Sequence, residues 1–212
     1  MNCVVTAGPT YESLDEVRRL TNCSTGALGS QLANHLVERG HDVTLLLGYY
    51  ATYHGEQKAQ RGETFTTTAD LRERLQRRAT QGVEAVFHAA AVSDFTFGQA
   101  WERQRDGALQ AVRAGKLSTR QGALLVELLP TPKILSELRD WFPTARLIGW
   151  KYEVDGDRAS VIALAARQLI ECRTDLCVAN GRAYGAGFGL VRSGGDCVHV
   201  ADRPALFAAL ER

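Results

Sequence analysis

The sequence predicts a single doubly wound, Rossmann-like α/β domain, with a mostly parallel sheet and helices on both faces. Short apolar runs alternate with segments whose apolar residues recur every three or four positions, the patterns of buried strands and amphipathic helices. The 212 residues fit one domain and can bury a large core. A strand, a glycine-bearing turn, a helix and a second strand also follow one another near the start. We expect one domain over residues 1–212, with a flap and a small hairpin added.

The first βαβ unit occupies residues 3–48. Residues 3–5 are too apolar to face water, and Gly8 and Pro9 end this strand. Ser24 and Thr25 precede a helix with small and apolar residues at three-and-four spacing, which are Gly26, Gly29, Leu32 and Leu36. Residues 41–48 have the apolar pattern of the next parallel strand.

The remaining elements continue this alternation. A charged helix includes residues 70–75 and ends by Gly82, and a third buried strand over residues 83–92 finishes in three alanines. Later strands are predicted at residues 124–129, 146–150 and 175–180, helices at 132–141, 158–172 and from Pro204, and a hairpin around 193–196. Residues 95–120 lack clear periodicity and carry many charges, so we expect a mobile flap or dimerisation arm there.

Composition limits the partners. The formal net charge is +1, which gives no reason to expect a nucleic acid or a membrane as partner. The five cysteines contain no C-x-x-C pair, which disfavours a disulfide framework or a zinc site and suits reduced thiols in a cytoplasm. We find neither a secretion leader nor an apolar run of the ~20 residues needed to cross a bilayer, so a cytoplasmic protein is expected.

The turn before the first helix is a candidate phosphate site. Free amides at a helix start, with the helix dipole behind them, favour an anion. The strands that end near Ala7, Ala91 and Ile148 should meet at one sheet edge, where doubly wound folds place their ligands. The spacing Gly26-x-x-Gly29 alone is weak, because small residues there serve close helix–strand packing equally well.

The absence of known cofactor signatures narrows the classes of ligand that this site could bind. The first loop has no G-x-G-x-x-G, and the second strand ends in Gly48-Tyr49-Tyr50 without the acid that holds the ribose of a dinucleotide. The sequence also lacks a G-x-x-x-x-G-K-[ST] phosphate loop and a Tyr-x-x-x-Lys pair. An NAD(P)-dependent reductase therefore remains only as a disfavoured alternative.

Several motifs in combination carry a family resemblance. They are Val5-Thr6-Ala7-Gly8-Pro9-Thr10, Thr21-Asn22-Cys23-Ser24-Thr25-Gly26, Ala89-Ala90-Ala91-Val92-Ser93-Asp94-Phe95, Thr131-Pro132-x-Ile134-Leu135 and Ile148-Gly149-Trp150. In this order they resemble the phosphopantothenoylcysteine synthetase family, the phosphopantothenate–cysteine ligases of coenzyme A synthesis. Many bacteria fuse this domain behind a flavin-dependent decarboxylase. The resemblance therefore implies a stand-alone synthetase domain without flavin.

The resemblance also implies a reaction. The carboxylate of 4′-phosphopantothenate is activated on the α-phosphate of CTP or ATP, with Mg²⁺ carried by the nucleotide phosphates rather than by a protein metal site. The amine of L-cysteine then displaces the nucleoside monophosphate. Such chemistry needs fixed donors for the phosphate charge and for the acyl oxyanion. A homodimer, with the flap reaching the partner's site and Phe95, Phe97 and Trp101 at the contact, is implied as well.

Residue roles follow from the matched motifs. Asn22 takes the place of the asparagine that holds the intermediate, where its amide could donate to the developing oxyanion, although it could instead organise the turn before the helix. Arg18 could bind carboxylate or phosphate oxygens, and Lys116 is the candidate flap lysine; these three residues are the implied catalytic set. The implied nucleotide-binding residues are Gly8, Ser24, Thr25, Gly26, Ala89, Ala90, Ala91, Asp94, Gly149 and Trp150. Asp94 would accept from ribose hydroxyls, or else cap the following turn.

Some positions depart from the family pattern. Two further flap lysines are replaced by Ser118 and Thr119, and lysines of the helix at 158–172 are replaced by Gln168 and Cys172. We hypothesise that Lys151 supplies compensating charge. The departures leave open a diverged module that binds a nucleotide or phosphorylated ligand but makes no amide.

Overall fold

The computed structural model describes residues 1–118 and 122–211. In these residues the helices are α1 (Ala27–Glu38), α2 (Thr68–Arg78), α3 (Ile134–Trp141), α4 (Arg158–Cys172) and α5 (Arg203–Glu211). The strands are β1 (Asn2–Ala7), β2 (Tyr11–Ser13), β3 (Arg19–Thr21), β4 (Asp42–Gly48), β5 (Arg61–Phe65), β6 (Ala85–His88), β7 (Phe95–Arg103), β8 (Leu109–Val112), β9 (Leu124–Pro130), β10 (Arg146–Tyr152), β11 (Leu176–Asn180), β12 (Phe188–Val191) and β13 (Cys197–Val200).

One central sheet organises the molecule. Its eight strands lie in the order β13-β12-β11-β10-β6-β1-β4-β5. The strands from β11 to β5 pair in parallel, whereas β12 and β13 add an antiparallel edge. Numbered along the chain, the parallel strands follow the order 3-2-1-4-5-6 of a Rossmann fold, so the direction of winding reverses between β1 and β6. The predicted fold class is confirmed.

The two faces of the sheet carry separate cores. One face packs α1 and α5 through residues such as Leu32, Leu36 and Leu210. The other face packs α2 and α3 through Leu75 and Leu138, and α4 lies over β10 and β11. Strands covered on both faces are mostly apolar, which explains the hydrophobic character of β1 and β4, where Thr6 and Thr44 are also buried.

One predicted strand is shorter than expected, and one strand was not predicted. The strand predicted over residues 83–92 is β6, which covers only Ala85–His88. The alanines that follow form an irregular segment, because they leave the sheet edge at the crevice. Sequence patterning also missed β5, which pairs in parallel with β4 at the sheet edge. Its residues Arg61–Phe65 are mostly exposed and polar, so they lack the apolar signal of a buried strand.

The predicted flap contains regular structure. Strands β7 and β8 lie within residues 95–120, and with β9 they form a separate three-stranded antiparallel sheet in the order β8-β7-β9. Strands β7 and β8 are exposed or only half-buried over most of their length, which explains the aperiodic sequence of residues 95–120. Strand β9 is apolar and was predicted as a strand, but it pairs with β7 in this sheet and not in the central one. Thr119 and Arg120, at the end of the predicted flap, lie outside the described residues.

The chain enters and leaves the flap sheet at neighbouring residues of the central domain. Its first strand leaves after Asp94 and its last strand returns at Thr131. These two residues are hydrogen-bonded through the Thr131 amide and the Asp94 carbonyl, 3.0 Å apart. The Thr131 hydroxyl also donates to the Ser93 carbonyl at 2.5 Å. The flap sheet is therefore an insertion with adjacent ends.

Across the part of the chain that the structure describes, no helix combines the length and apolar character needed to cross a membrane.

Gly29 fixes how closely α1 approaches β1. A Cβ atom added at Gly29 would lie 2.6 Å from the Ala7 Cβ and 3.1 Å from the Thr6 carbonyl oxygen. Such distances are below van der Waals contact, so a larger residue would push the helix away from the strand. The Gly26-x-x-Gly29 spacing therefore serves helix–strand packing at its second glycine.

We predict that Gly29→Ala lowers the free energy of unfolding by about 1–3 kcal/mol, because the added methyl group overpacks the α1–β1 contact. Urea unfolding followed by circular dichroism measures this change. Gly62→Ala is the matched control, since a Cβ atom at Gly62 in β5 meets nothing within 4 Å. Equal stabilities of the two variants would contradict the close-packing argument.

Candidate functional site

The N-terminus of α1 has backbone amides that no side chain caps. Gly26 occupies the N-cap position in the left-handed region, at φ 78°, and no side chain caps the helix. The Ala27 amide has only a 3.3 Å contact with the Thr25 hydroxyl, and the first turn contains no acidic residue. The early amides of a helix have no partner within the helix, so those of α1 remain available to phosphate or carboxylate oxygens.

Small residues bring the first loop against this helix start. A Cβ atom at Gly26 would lie 3.0 Å from the Ala51 Cβ and 3.4 Å from the Gly8 Cα. Gly8 is itself left-handed, at φ 79°, and a Cβ atom there would lie 2.9 Å from the Ala51 Cβ. The structure thus brings together Gly8 and Gly26, which are distant in sequence, and glycine suits both positions sterically and conformationally.

Backbone hydrogen bonds join the loop after β1 to the loop after β6. The Ala91 amide donates to the Gly8 carbonyl at 2.9 Å, and the Thr10 amide donates to the Ala91 carbonyl at 3.2 Å. The Ala89 amide donates to the Thr6 carbonyl at 3.2 Å. This pairing continues past both strand ends, so Ala91 lies beside Gly8 at the switch point of the sheet.

Asn22, in the loop between β3 and α1, joins that loop to the loop after β6. Its Nδ2 donates to the carbonyls of Ala91 and Val92, at 3.0 and 3.1 Å. The side chain therefore does not cap or organise the turn before α1, the alternative that the sequence left open. Both amide hydrogens are used in these bonds, and the Oδ1 atom makes no hydrogen bond to any residue in 1–118 or 122–211. Asn22 presents an acceptor in this arrangement.

A cavity of about 230 Å³ opens at the carboxyl ends of β6 and β10, on the α3 side of the sheet. Its lining includes Ala90, Asp94, Trp150, Lys133 and Gln168. Asp94 is exposed, and its carboxylate makes no hydrogen bond or ion pair with another described residue. It therefore does not cap the following turn, and its oxygens are free to accept from a ligand.

Gly149 and Trp150 differ in what they offer the cavity. Gly149 is buried, and a Cβ atom there would lie 3.0 Å from Leu135 and 3.1 Å from Gln168, so its smallness serves the packing of α3 and α4 on β10. Trp150 is half-buried, and its side chain packs against the core on the α1 and α5 face, opposite the α3 side where the cavity opens. Its indole Nε1 is enclosed but has no hydrogen-bond partner among the described residues. Such an unpaired donor is available to a ligand oxygen.

His88 and Lys133 were not singled out from the sequence, yet both line the cavity. His88 was overlooked because it lies in an apolar strand that resembles core. Lys133 was overlooked because it is the unspecified residue of the Thr131-Pro132-x-Ile134 motif. Burial raises the pKa of the Cys172 thiol, and the positive charges of Lys133 and Lys151 act in the opposite direction. Two ammonium groups therefore lie near Cys172, where the family pattern has a lysine in α4. Lys151 also pairs with Glu153 at 2.8 Å.

Arg18 and Lys116 form a second cluster beside the flap sheet. The Arg18 Nη2 donates to the Leu117 carbonyl at 2.5 Å, and its Nε lies 3.5 Å from the Asp15 carboxylate. The guanidinium is therefore engaged by protein groups. Lys116 is exposed next to Leu117. The structure brings Arg18 to Lys116 but joins neither to Asn22 by a direct contact.

The fold and this site define a doubly wound α/β protein with a ligand crevice at the β1/β6 switch point. Helix amides and glycine loops line one side of the crevice, and a polar cavity lies on the other. Comparison with known families then gives a specific match. The chain belongs to the family described as DNA/pantothenate metabolism flavoprotein C-terminal domain, whose profile matches residues 1–202.

Individual relatives agree with this membership. The coenzyme A biosynthesis bifunctional protein CoaBC of Bacillus subtilis is 34% identical over 188 residues, which cover 88% of this chain and 42% of the relative. The chain thus spans less than half of that protein's length. The solved DNA/pantothenate metabolism flavoprotein of Streptococcus pneumoniae is 26% identical, with a TM-score of 0.83 over 99% of this chain and 96% of that one.

A more distant structure shares the fold. A Cab2 variant, solved in complex with phosphopantothenate-cysteine, is 20% identical, with a TM-score of 0.72 over 99% of this chain and 85% of that one. The family resemblance predicted from the sequence motifs is confirmed by these findings.

The buried imidazole of His88 gives a pH prediction. Burial lowers the pKa of His88 to about 4, and the Nδ1 atom lies 2.9 Å from the Thr6 hydroxyl. Between pH 4 and the ordinary value of 6.5, the unfolded chain binds the proton and the folded chain does not, so stability falls as the pH falls through this range. The loss from this group should total about 3 kcal/mol.

Urea unfolding of the wild type and His88→Asn at pH 7, 5.5 and 4 measures that loss. The wild type should lose about 3 kcal/mol more than the variant, which has no titrating ring at this position. Parallel stability curves for the two proteins would show that His88 is not held neutral by burial.

Proposed function

We propose that this domain joins 4′-phosphopantothenate and L-cysteine through an acyl-nucleotide intermediate, using CTP or ATP, in coenzyme A synthesis. The observation that carries the proposal is the bridge from Asn22 to the carbonyls of Ala91 and Val92. This bridge joins two family motifs beside Gly8 and the open N-terminus of α1. A doubly wound fold binds phosphorylated ligands at such a switch point.

The first half-reaction needs charge neutralisation at a phosphate. A carboxylate oxygen of phosphopantothenate attacks the α-phosphorus, an acyl–oxygen–phosphorus bond forms, and pyrophosphate leaves. Two anions must approach each other, so fixed donors are required. The amides of the α1 N-terminus behind Ser24, Thr25 and Gly26 supply them without reorganisation. Gly8 and residues 89–91 let the ligand lie close to the backbone.

The second half-reaction forms the amide. The cysteine ammonium first loses a proton to solvent, and the neutral amine attacks the acyl carbon. The carbon–oxygen bond breaks, CMP or AMP leaves with its electron pair, and the nitrogen releases a second proton to solvent as the amide forms. The amide hydrogens of Asn22 are used by Ala91 and Val92, so its Oδ1 atom is the group that can orient an incoming amine N–H. Donation to the acyl oxyanion then falls to helix amides rather than to Asn22, a change from the role expected from the sequence.

The nucleotide would occupy the cavity beside Asp94 and Trp150. Asp94 offers acceptors for ribose hydroxyls, and Lys133 offers a cation for phosphate oxygens. Mg²⁺ would enter with the nucleotide and neutralise its phosphate oxygens. Asp94 is the one carboxylate in the described lining of the cavity, which suits a metal held mainly by phosphates. CTP and ATP are both compatible with these groups, and the chemistry uses no flavin.

Two observations bear on the alternatives. A binding module without ligase activity would explain Gln168 and Cys172, which replace family lysines. Lys133 lines the cavity and offers a cation there, which favours the ligase, whereas Lys151 is paired with Glu153. The second strand, β4, ends in Gly48 without an acidic residue, which disfavours an NAD(P)-dependent reductase.

We also propose that the protein is a homodimer in the cytoplasm, with the flap sheet at the subunit contact. Phe95 is 46% exposed and Leu128 is 48% exposed. In the register of β7 with β9, Phe97 pairs with Leu128, so Phe95, Phe97 and Leu128 lie on one face of the flap sheet. Trp101 is half-buried in the same strand. An exposed apolar face of this kind fits a second copy of the chain, and the five free thiols suit a reducing compartment.

The ligase proposal predicts pyrophosphate release that requires phosphopantothenate together with CTP or ATP, and cysteine-dependent formation of phosphopantothenoylcysteine. A coupled pyrophosphate assay and mass spectrometry of the products measure both. Asn22→Ala should lower kcat by about 100-fold, because the loop bridge and the Oδ1 acceptor are lost together.

Asn34→Ala is the matched control, since Asn34 also bridges two backbone segments, by donating to Glu56 and accepting from Lys58, away from the crevice. It should retain near wild-type kcat. Tight nucleotide binding without pyrophosphate release would support the binding module, and NAD(P)H binding would support the reductase.

The dimer proposal predicts a mass near twice 23.2 kDa in light scattering after gel filtration. Phe95→Asp should give a monomer, because a charge in an apolar interface is left without a partner. Ile170→Asp, on α4 at 80% exposure, is the control and should remain dimeric. A monomeric wild type, or a dimeric Phe95→Asp, would contradict a contact through the flap sheet.

A further inference from the structure

We propose that Asp15 is a positioning residue that holds the Lys116 segment, residues 115–117, against the loop of residues 14–18. The inference rests on the proposed function, because it is Lys116 that would contact the nucleotide or intermediate. Asp15 has no contact with the crevice residues Gly8, Gly26 or Asn22, so its role would be indirect.

The Asp15 carboxylate joins the two segments. Its Oδ1 atom accepts from the amides of Val17 and Arg18, at 2.9 and 2.7 Å. Its Oδ2 atom accepts from the Leu117 amide at 3.1 Å. One oxygen therefore shapes the local turn and the other reaches across to the flap segment. The side chain is only 1% exposed, so water does not compete for these bonds.

Three further contacts hold residues 115–117 against residues 14–18, and we call this set of contacts the latch. The Arg18 guanidinium donates to the Leu117 carbonyl at 2.5 Å, and the Glu16 amide donates to the Gly115 carbonyl at 2.9 Å. The Leu117 side chain is buried, at 4% exposure, within a segment that is otherwise exposed. Polar bonds and an apolar anchor thus fix residues 115 and 117 on either side of Lys116.

The charge of Asp15 is maintained despite its burial. Burial opposes ionisation, but the amides of Val17, Leu117 and Arg18, together with the Arg18 guanidinium, outweigh it, so the pKa of Asp15 lies below its ordinary value. A carboxylate with three amide donors is satisfied as an acceptor. An amide side chain would have only one acceptor oxygen for the same donors.

The latch fixes the backbone around Lys116 and leaves its side chain exposed. Its backbone is held at both neighbours, yet the residue is exposed, and its ammonium group makes no ion pair with the described residues. A lysine on a fixed backbone loses less conformational entropy when it binds a phosphate than one on a loose loop. Asp15 would therefore act on catalysis through the placement of Lys116.

Asp15→Asn separates the two functions of the carboxylate. If the asparagine keeps its oxygen on the amides of Val17 and Arg18, its NH₂ group faces the Leu117 amide, donor against donor. Hydrogen exchange measured by mass spectrometry should then show at least tenfold faster exchange in peptides that contain Leu117. Asp106→Asn is the control, since Asp106 accepts from Ala108 in the β7–β8 turn of the same flap sheet. It should leave that exchange unchanged.

The kinetic test is a double-mutant cycle. Asp15→Asn should lower kcat by about 10- to 100-fold with a smaller change in the KM for cysteine, and adding it to Lys116→Ala should cause no further loss. Leu117→Ala, which removes the apolar anchor from the flap side, should behave in the same way and covers the case in which Asp15→Asn folds poorly.

The outcomes separate this inference from the ligase proposal. Additive losses in the cycle, or unchanged exchange at Leu117 in Asp15→Asn, would overturn the positioning role even in an active ligase. If the wild type proved inactive as a ligase, the placement of Lys116 for catalysis would lose its basis. Faster exchange at Leu117 would then still establish the latch itself.

Discussion

The pairing of the loop after β1 with the loop after β6 is the constraint on which the site depends. In most doubly wound sheets the chain diverges at the switch point and leaves a crevice. Here residues 8–10 and 89–91 stay hydrogen-bonded beyond both strands, and Asn22 adds a side-chain bridge to the same backbone. The crevice therefore has a floor made of peptide groups. Gly8 and Gly26 keep that floor within reach of the α1 amides, because any larger residue would meet Ala51.

This arrangement divides the chemistry between backbone and side chains. The anion-accepting groups beside Gly26 are amides, whose partial charges depend neither on pH nor on side-chain rotamers. The cavity on the opposite face is lined by side chains, including His88, Lys133 and Gln168. The amide side of the crevice is thus fixed by the backbone, whereas the character of the cavity depends on the side chains that line it.

Most of the fold could be predicted from the sequence, because buried parallel strands and amphipathic helices leave strong patterns. Helix α4 and the hairpin of β12 and β13 were predicted close to their observed bounds. Strands β5, β7 and β8 were not, since exposed strands lack an apolar period. Site residues in contiguous motifs, such as Asn22 and Gly26, were found from sequence. His88 was missed because a histidine in an apolar strand resembles core, and the bonds of Asp15 to Leu117 join residues that no local pattern connects.

The insertion of the flap sheet at a single point has a consequence for how this architecture can vary. Because Asp94 and Thr131 are hydrogen-bonded neighbours, the whole intervening segment is one closed loop that starts and ends at the same point of the central domain. The entropy of closing such a loop grows only slowly with its length. Strands could therefore be added to, or deleted from, this appendage without disturbing the Rossmann core. A change in the appendage could therefore alter its exposed apolar face while the central sheet stays intact, provided that the bonds between residues 115–117 and residues 14–18 are kept.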